Sequence, residues 1–310
     1  MREPNQQKVK NVRRKLLRWY RKERRPFLWR NTSDPYEILV SEIMLQQTQA
    51  SRVQEKLPVF LERFPDFKSL AKASKADVIR AWRGMGYNNR AVRLQELARV
   101  IVHEYGGTLP GEPALLMTLP GIGKYTAYAV TCFGFGKRVS VVDVNIRRVL
   151  SRIFGRMNSP LEVKNEKEVW NLAAQVLARD AYSWNQALME LGATYCKARS
   201  TRCSECPVKE YCSSRKLENV RLTREMSSTT NHEKLYEGIP LRLWRGKIVE
   251  ALRNVNGEGS ISLITLGKTV KNDFRQEEFL WLELLVKQLE RDGIAATRCK
   301  GQTVRVMLAE

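Results

Sequence analysis

Hydrophobic residues recur at helical spacing along most of the chain. In the strongly basic segment 8–30, four apolar residues fall on one stripe of a helix: Val12, Leu16, Trp19 and Tyr20. The segment 36–64 starts with a run that is apolar on almost every side, so we expect a long helix whose first turns are buried. Two further helical runs, 112–118 and 125–133, are joined by a turn that is too short for any connection other than a helical hairpin. These patterns predict a mostly α-helical protein.

The last part of the chain shows a different order of elements. Its predicted helix, strand, two helices and β-hairpin lie, in that order, at 239–253, 260–264, 266–274, 277–291 and 294–308. This order is typical of a winged-helix module, so we predict a small winged-helix-like α+β domain over residues 237–310. The polar segment 216–236 before it is predicted to be a linker. The hairpin is expected to turn at Gly301-Gln302.

The third helix of this predicted module is acidic. It carries four glutamates, Glu277, Glu278, Glu283 and Glu290. Winged-helix modules often bind DNA, but these carboxylates would repel the phosphates of a nucleic acid. The pattern therefore supports docking, or binding of a protein partner, at least as well as it supports DNA binding.

The charge of the chain indicates a partner for the helical part. Lys and Arg number 54 and Asp and Glu 33, which gives a net charge of +21 and a pI near 9.9. Such a chain attracts a polyanion, and double-stranded DNA is the expected one. No window approaches the 18 apolar residues of a membrane span, and the basic start contains Glu3 and Glu23 but no Ser, unlike a mitochondrial presequence. We expect a cytoplasmic protein, nucleoid-associated if prokaryotic, with its six cysteines not in disulfides.

The hairpin and the segment after it contain the first candidate chemistry. Gly121 and Gly123 supply the φ > 0 conformations that let backbone N–H groups point outward at the start of the second helix. Such a helix start is an anion site, for which a DNA phosphate is the obvious ligand. Asp143 follows among three valines, where a carboxylate is costly unless it is used or paired. The ordinary alternative is that Asp143 caps a helix over 145–154.

Polar residues also interrupt the apolar start of the segment 36–64. Glu42, Gln46 and Gln49 would share one face of a continuous helix. A buried glutamate needs a partner or a function. Burial would raise its pKa, so that Glu42 could donate a proton near neutral pH. A structural ion pair with an arginine is the alternative.

Four of the six cysteines lie in one short segment with the spacing C-x6-C-x2-C-x5-C: Cys196, Cys203, Cys206 and Cys212. Four thiolates so close in sequence predict an all-cysteine metal site, for which zinc and a [4Fe–4S] cluster are the chemical options. Cys132 and Cys299 stand alone and are expected to be small core residues.

The glycine hairpin together with Asp143 resembles the helix-hairpin-helix and Gly/Pro…Asp arrangement of the endonuclease III superfamily of DNA glycosylases. The resemblance implies two helical lobes with the active site in the cleft between them. One would be a cluster lobe built from residues 1–27 and 137–215, and the other a six-helix lobe over residues 28–136. In this superfamily the cysteine spacing is that of a [4Fe–4S] cluster, whose role would be structural because hydrolysis of an N-glycoside needs no electron.

Two segments resemble the MutY adenine glycosylases of this superfamily, which remove adenine mispaired with guanine or 8-oxoguanine. They are EIMLQQTQ at 42–49 and WRGMGYNNRA at 82–91. The resemblance implies that Glu42 is the general acid that protonates the adenine ring. It implies further that Gln47 helps to wedge the duplex open and that Tyr87 intercalates beside the target base.

The same resemblance implies a role for Asp143 and its neighbours. Asp143 would stabilise the developing oxocarbenium ion or trap it covalently, in the manner of the second carboxylate of glycosidases. Asn145 would support Asp143, and Tyr125 would pack close by. Bifunctional relatives carry a lysine at the position of Tyr125, and its amine forms a Schiff base with the sugar. A phenol cannot do so, which predicts a monofunctional glycosylase that leaves an abasic site.

Further residues are expected around this centre. The base pocket and duplex wedge would include Trp29, Arg30 and Glu190, although Glu190 could instead be a surface charge of its helix. The expected phosphate contacts are Gly121, Gly123, Lys124, Lys197, Arg199 and Arg202.

Three positions depart from the MutY pattern. Val144 stands where glycine is usual, Tyr125 where serine is more common, and Asn88 where a second aromatic residue is usual. All three positions are closer to the thymine/uracil mismatch glycosylases of thermophilic archaea. We predict excision of adenine, with thymine or uracil opposite guanine as the alternative. A non-catalytic iron–sulfur DNA-binding protein is the second alternative, which the presence of both Glu42 and Asp143 disfavours.

Overall fold

The computed structural model describes residues 4–155, 165–217, 234–255, 259–301 and 303–310. The predicted linker 216–236 lies mostly outside these residues, as does Gln302 of the predicted hairpin turn. Within them the chain forms fourteen α-helices: α1 Gln6–Glu23, α2 Pro35–Leu45, α3 Ala50–Arg63, α4 Phe67–Lys72, α5 Lys75–Ala81, α6 Asn89–Glu104, α7 Pro113–Leu116, α8 Lys124–Phe133, α9 Val144–Phe154, α10 Glu166–Gln175, α11 Ala181–Thr194, α12 Leu241–Arg253, α13 Leu263–Val270 and α14 Phe279–Arg291. None of these helices is long and apolar enough to cross a membrane.

Five short strands complete the described structure: β1 Leu235–Tyr236, β2 Ile239–Pro240, β3 Ser260–Ser262, β4 Ala295–Lys300 and β5 Thr303–Leu308. Strands β1 and β2 form a small antiparallel ribbon that the hydrophobic pattern did not indicate. The other three form an antiparallel sheet in the order β3-β5-β4. The prediction of a mostly α protein with a small winged-helix-like α+β module is therefore confirmed.

The chain folds into two compact units, each of which collects separated segments. The first consists of Met1–Leu39, Gly111–Thr118 and Ile122–Ser227. In this unit α9 and α1 both pack against α11. Three residues of the predicted apolar stripe of α1, Val12, Leu16 and Tyr20, are buried together with Val9, whereas Trp19 is only partly buried. Asn5 caps the helix by accepting a hydrogen bond from the Lys8 backbone N–H.

The second unit consists of Val40–Pro110, Leu119–Gly121 and Ser228–Glu310. Its segments share one core because Ile79 of α5 and Val92 of α6 belong to the same buried apolar cluster as Trp244 and Ile248 of α12. The winged-helix-like module thus shares its core with α5 and α6 of the same unit. Burial of such apolar surface is the main force that holds these elements together. The four-part division predicted from the sequence, with its boundaries near 27, 136, 215 and 236, stays a prediction.

Candidate active site

Asp143 is the N-cap of α9, so the capping role predicted as the ordinary alternative is confirmed. One carboxylate oxygen accepts a hydrogen bond from the Ile146 backbone N–H at 2.6 Å, and the other accepts one from the Asn145 side-chain amide at 2.7 Å. The carboxylate therefore lies at a helix N-terminus, where the backbone N–H groups and the helix dipole favour a negative charge. Burial raises the pKa of Asp143, while the hydrogen bonds from Ile146 and Asn145 oppose this rise.

Two further residues fix the position of Asn145 and so of Asp143. Arg148, one helical turn on, donates to the Asn145 side-chain oxygen at 2.7 Å, to the Gly192 carbonyl at 2.9 Å and to the Cys196 carbonyl at 2.7 Å. Gly192 of α11 has no room for a side chain, since a Cβ there would lie 2.7 Å from the Asn145 Cβ. Helices α9 and α11 therefore approach closely beside Asn145, and a guanidinium links Asn145 to the backbone of the first cluster cysteine.

The segment that leads into Asp143 is held by a buried amide. Asn185 of α11 accepts a hydrogen bond from the Val141 backbone N–H at 3.1 Å and donates to the Val139 carbonyl at 3.0 Å. It also donates to the Cys132 sulfur at 3.3 Å. Cys132 is buried, as predicted, and burial raises the pKa of its thiol to about 11. The prediction for Cys299 is wrong, because its side chain is exposed on strand β4.

Glu190 is not a surface charge, because its side chain is fully buried. Its carboxylate accepts hydrogen bonds from Arg25 at 2.5 Å and from Arg30 at 2.7 Å. The Arg30 guanidinium also donates to the Gln186 side-chain oxygen at 3.1 Å. Phe27, whose ring faces both guanidinium groups, stacks on Trp29 at a centroid distance of 4.6 Å. The structure thus brings Trp29, Arg30 and Glu190 together, and their contact with a target base stays a prediction.

One of the two hairpin glycines has the predicted conformation: Gly121 adopts a φ of +77° in the turn. The prediction of a positive φ for Gly123 is wrong, because Gly123 is the N-cap of α8 with an ordinary φ of −87°, although its lack of a side chain leaves the helix start uncovered. Lys124, the first residue of α8, places its ammonium 4.4 Å from the centre of the Trp170 ring and 3.8 Å from the Glu166 carboxylate. Tyr125 follows it in the first turn of α8. The hairpin can therefore present backbone donors to an anion, and its contact with a phosphate stays a prediction.

The second unit contains the other predicted site residues. Glu42 lies in α2 and is only 4% exposed, so its predicted burial is confirmed. The prediction that Gln46 and Gln49 share a helical face with it is wrong, because α2 ends at Leu45 and α3 begins at Ala50. The physical reason is Gln47, whose φ of +55° lies in the left-handed region and cannot continue a right-handed helix.

The two predicted wedge residues share this unusual backbone. Gln47 and Tyr87, with φ values of +55° and +44°, are two of the three non-glycine residues with positive φ in the described part of the chain. For a residue with a side chain, the left-handed backbone conformation is about 1–2 kcal/mol less stable than the right-handed one. Tyr87 is also 47% exposed, which is unusual for so large a ring. Strain and exposure at these two residues are typical of a functional loop, and they support the predicted wedge.

Arg90, which the sequence reasoning missed, holds both wedge loops from inside. Its guanidinium donates to the carbonyls of Ile43, Met44 and Gln46 at the end of α2, at 2.8, 3.0 and 2.5 Å. It also donates, at 2.9–3.1 Å, to three groups in or facing the Tyr87 loop: the Thr48 hydroxyl and the carbonyls of Met85 and Gly86. Burial lowers the pKa of Arg90 to about 10. A sequence signal for this role is absent, since an arginine in the first turn of a helix is ordinary.

The four clustered cysteines are free thiols in one loop of the first unit. Burial raises the pKa of Cys206 to about 12, and the neighbouring Cys212, Cys196 and Cys203 add to this rise. Arg152 donates to the Cys196 sulfur at 3.4 Å. In the described residues, no group of three or more His, Cys, Asp or Glu side chains is arranged as a metal-ion site.

The predicted phosphate-binding side chains of this loop differ in their surroundings. Arg202 lies over the Tyr195 ring at 4.6 Å and 3.6 Å from the Glu205 carboxylate. Lys197 and Arg199 are exposed. All three are accessible to a polyanion, and their contacts with DNA stay predictions.

Comparison with known proteins agrees with this geometry. The HhH-GPD superfamily of base excision DNA repair proteins matches residues 40–175. A Mycolicibacterium smegmatis protein named adenine DNA glycosylase is 37% identical over 297 residues, which cover 94% of this chain and 97% of that protein. The chain therefore belongs to this superfamily, and the resemblance inferred from the sequence is confirmed.

Two other similarities refine the picture. A Mycobacterium tuberculosis protein of the same name is 45% identical over 201 residues, which cover 64% of this chain and 65% of that protein. The solved structure of a thermostable thymine-DNA glycosylase aligns with a TM-score of 0.65 at 35% identity, covering 68% of this chain and 98% of that one. Both named activities thus occur among relatives of this chain.

Proposed function

We propose that this chain is an adenine DNA glycosylase of base excision repair. It would hydrolyse the N-glycosidic bond of adenine mispaired with guanine or 8-oxoguanine. The observation that carries the proposal is the partly buried Asp143 carboxylate, which accepts hydrogen bonds from Asn145 and from the first turn of α9. The names of the mycobacterial relatives support adenine as the excised base.

Asp143 supplies the negative charge that the reaction requires. As the bond between base and sugar breaks, positive charge develops on the sugar, and a fixed carboxylate stabilises it electrostatically. Donors to both oxygens hold the carboxylate in one orientation, so little reorganisation is needed when the charge develops. In this proposal Asp143 acts as an anion throughout.

Glu42 supplies the proton. Adenine is a poor leaving group until a ring nitrogen is protonated, so a carboxylic acid has to donate to it. Glu42 is the buried carboxyl group of α2, in a helix whose other residues are largely apolar.

We further propose that the enzyme is monofunctional. Tyr125 stands at the position where a Schiff-base lysine would be needed, and a phenol cannot form that bond with the sugar. The adjacent Lys124 has its ammonium over the Trp170 ring and near Glu166, a position suited to a structural or phosphate-binding role. The product is then an abasic site in an uncut strand.

We infer that Cys196, Cys203, Cys206 and Cys212 hold a [4Fe–4S] cluster. Two of the four cysteines contact the same residue, since Arg152 donates to the Cys196 sulfur and its carbonyl accepts from the Cys212 thiol, both at 3.4 Å. These four cysteines would be the protein ligands of the cluster. When bound, the cluster would tie the cysteine loop together, and no step of the hydrolysis uses it.

Single-turnover base release tests the proposed reaction. Duplexes with A opposite 8-oxoguanine, G or C, and with T or U opposite G, are incubated with excess protein, and each sample is divided for heat–alkali treatment. We expect release of adenine alone, with strand breaks only after alkali. Breaks without alkali would contradict the monofunctional reaction, and release of thymine or uracil alone would assign the chain to the mismatch type.

A further inference from the structure

The winged-helix-like module contacts the loop that carries Tyr87. Arg253, at the end of α12, donates two hydrogen bonds to the Ile79 carbonyl, at 3.1 and 2.9 Å. It donates a third to the Asn88 side-chain oxygen, at 2.8 Å. The Arg253 side chain is only 5% exposed, so these bonds are shielded from water. Asn88 immediately follows Tyr87, so the module holds the residue next to the predicted wedge.

The same module also holds the other end of the loop. The Arg83 guanidinium donates to the Asn254 side-chain oxygen at 2.5 Å and lies 3.0 Å from the Glu250 carboxylate. Glu250 in turn lies 3.1 Å from Arg253, so the two contacts are connected. The loop from Arg83 to Asn88 is thus anchored to α12 at both ends, within one compact unit.

The loop needs such anchors because its backbone is strained. Gly84, Gly86 and Tyr87 all have positive φ, and Tyr87 pays a steric cost that glycine does not. A strained conformation persists only where its surroundings fix it. The half-exposed Tyr87 ring cannot provide this through burial. Arg90 holds the loop from inside by donating to the Met85 and Gly86 carbonyls. At Asn88 the loop is held by the module instead.

We propose that the winged-helix-like module positions the Tyr87 wedge for insertion into the duplex, with Arg253 as the positioning residue. This inference rests on the proposed function, because it assigns the module a part in opening the duplex at the target base. Arg253 does not touch the reacting atoms. The module contributes to the reaction by keeping Tyr87 in its strained, exposed conformation before DNA binds.

The test compares two variants with a matched control. Arg253→Met removes all three bonds, whereas Asn88→Ala removes only the bond to the loop and leaves Arg253 bonded to Ile79, so the module stays docked. Lys247→Met is the control: Lys247 is an exposed residue of α12 whose ammonium lies over Trp244 within the module. The full chain is used throughout. The readouts are the fluorescence of 2-aminopurine placed beside the mispair, which rises on unstacking, and the single-turnover rate of base release.

For Asn88→Ala and Arg253→Met we expect the 2-aminopurine rise to fall at least threefold. We expect the rate at saturating protein to fall about tenfold, while affinity for a fully paired duplex stays unchanged. The double variant should lose no more than Arg253→Met alone, because both remove one interaction. The control should match the wild type.

If Asn88→Ala shows the same 2-aminopurine rise and the same rate of base release as the wild type, the inference is overturned. This holds even if Arg253→Met loses activity because it folds poorly. The two proposals can fail separately. If the wild-type protein releases no adenine but still unstacks the duplex through Asn88, the proposed reaction fails and the positioning role stands.

Discussion

The Asn145 side-chain amide donates to one oxygen of Asp143 at 2.7 Å, while the backbone N–H of Ile146 donates to the other at 2.6 Å. Each oxygen of the carboxylate therefore has its own fixed donor. An N-cap aspartate uses only one of its two carboxylate oxygens to accept from the helix backbone. The side chain of Asn145, the second residue of the helix, donates to the other oxygen. This pairing explains how a carboxylate with three valine neighbours in sequence can remain an anion that is ready to stabilise positive charge.

Asp143→Asn should abolish most of the activity without unfolding the protein. Asparagine is as good an N-cap as aspartate, so α9 should still begin at Val144. Loss of the negative charge should reduce the single-turnover rate by a factor on the order of a thousand. The measurement is base release at saturating protein, with circular dichroism as the control for folding. A rate within threefold of the wild type would contradict the proposed role.

The same variant should change how stability depends on pH. Burial raises the folded-state pKa of Asp143 above its usual 3.8, so the ionised form is disfavoured in the folded protein. This group's contribution to the free energy of unfolding is therefore greatest below pH 3.8, and it is lost as the pH rises through the folded pKa. The Asp143→Asn variant has no titrating carboxyl group at this position, so its stability does not fall in this way as the pH rises. We expect the difference in unfolding free energy to move in favour of the variant as the pH rises from 3.5 towards neutrality, as measured by urea titration. No change, or the opposite slope, would contradict the burial effect.

Arg90→Met should destabilise the protein and disturb both wedge loops. It removes six hydrogen bonds and leaves buried carbonyls unpaired, which should lower the free energy of unfolding by about 3 kcal/mol. Arg93→Met, on the exposed face of the same helix, should change it by less than about 0.5 kcal/mol. Chemical denaturation measures both. Equal effects in the two variants would show that the buried bonds of Arg90 contribute nothing specific.

Glu190→Gln should be costly because it leaves the buried Arg30 guanidinium without its counter-ion. Breaking a buried ion pair from one side typically costs 3–5 kcal/mol, and we expect about 3 kcal/mol because Arg25 is half exposed. Glu205→Gln removes an exposed pair with Arg202 and should cost less than about 1 kcal/mol. Thermal and urea unfolding of the two variants give the comparison. A cost for Glu190→Gln as small as that for Glu205→Gln would contradict the importance of the buried pair.

Cys206→Ser should lose the cluster. The wild-type protein, purified without oxygen, should contain about four irons per chain and absorb visible light. The serine variant should contain substantially less iron and be less stable. Cys299→Ser, which changes an exposed cysteine outside the cluster loop, should retain the iron. Zinc in place of iron in the wild type, or unchanged iron in Cys206→Ser, would contradict the inferred cluster.

Lys124→Gln should weaken DNA binding through one phosphate. Each neutralised phosphate contributes about 0.9 to the slope of log K against log salt concentration, so the slope should fall by about that amount. Lys287→Gln, on helix α14 of the winged-helix-like module, is the control and should leave the slope unchanged; Lys287 pairs with Glu283. Fluorescence anisotropy over a range of salt concentrations measures both. An unchanged slope for Lys124→Gln would exclude that phosphate contact.

The sequence predicted the helices with strong periodicity, the helical hairpin, the cap at Asp143 and the order of elements in the last module. Each of these follows from short-range rules of spacing and capping. The break between α2 and α3 could not be predicted in this way. The residues around Gln47 read as a continuous helix, whereas the break is stabilised in part by distant residues, among them Arg90, which lies more than forty positions on and donates to the Gln46 carbonyl.

Other features depend on partners that are distant in the sequence. Glu190 could be read as a surface charge because its arginine partners lie at positions 25 and 30, on the far side of the hairpin in sequence. Docking of the last module was among the predictions, but its contact residues were not, since Ile79 and Val92 resemble ordinary core residues of α5 and α6. For Asn88 the sequence showed only that a second aromatic residue is usual there, whereas its side-chain oxygen accepts a hydrogen bond from Arg253.

A competition between two duplexes in one tube tests most directly whether the excised base is adenine. Two labelled duplexes of equal length, one with A opposite 8-oxoguanine and one with T opposite G, are mixed with excess wild-type protein, and base release from each is followed in a single turnover. We expect adenine to be released and thymine to stay in its duplex. Faster release of thymine would contradict the proposed function and would place the chain with the mismatch glycosylases.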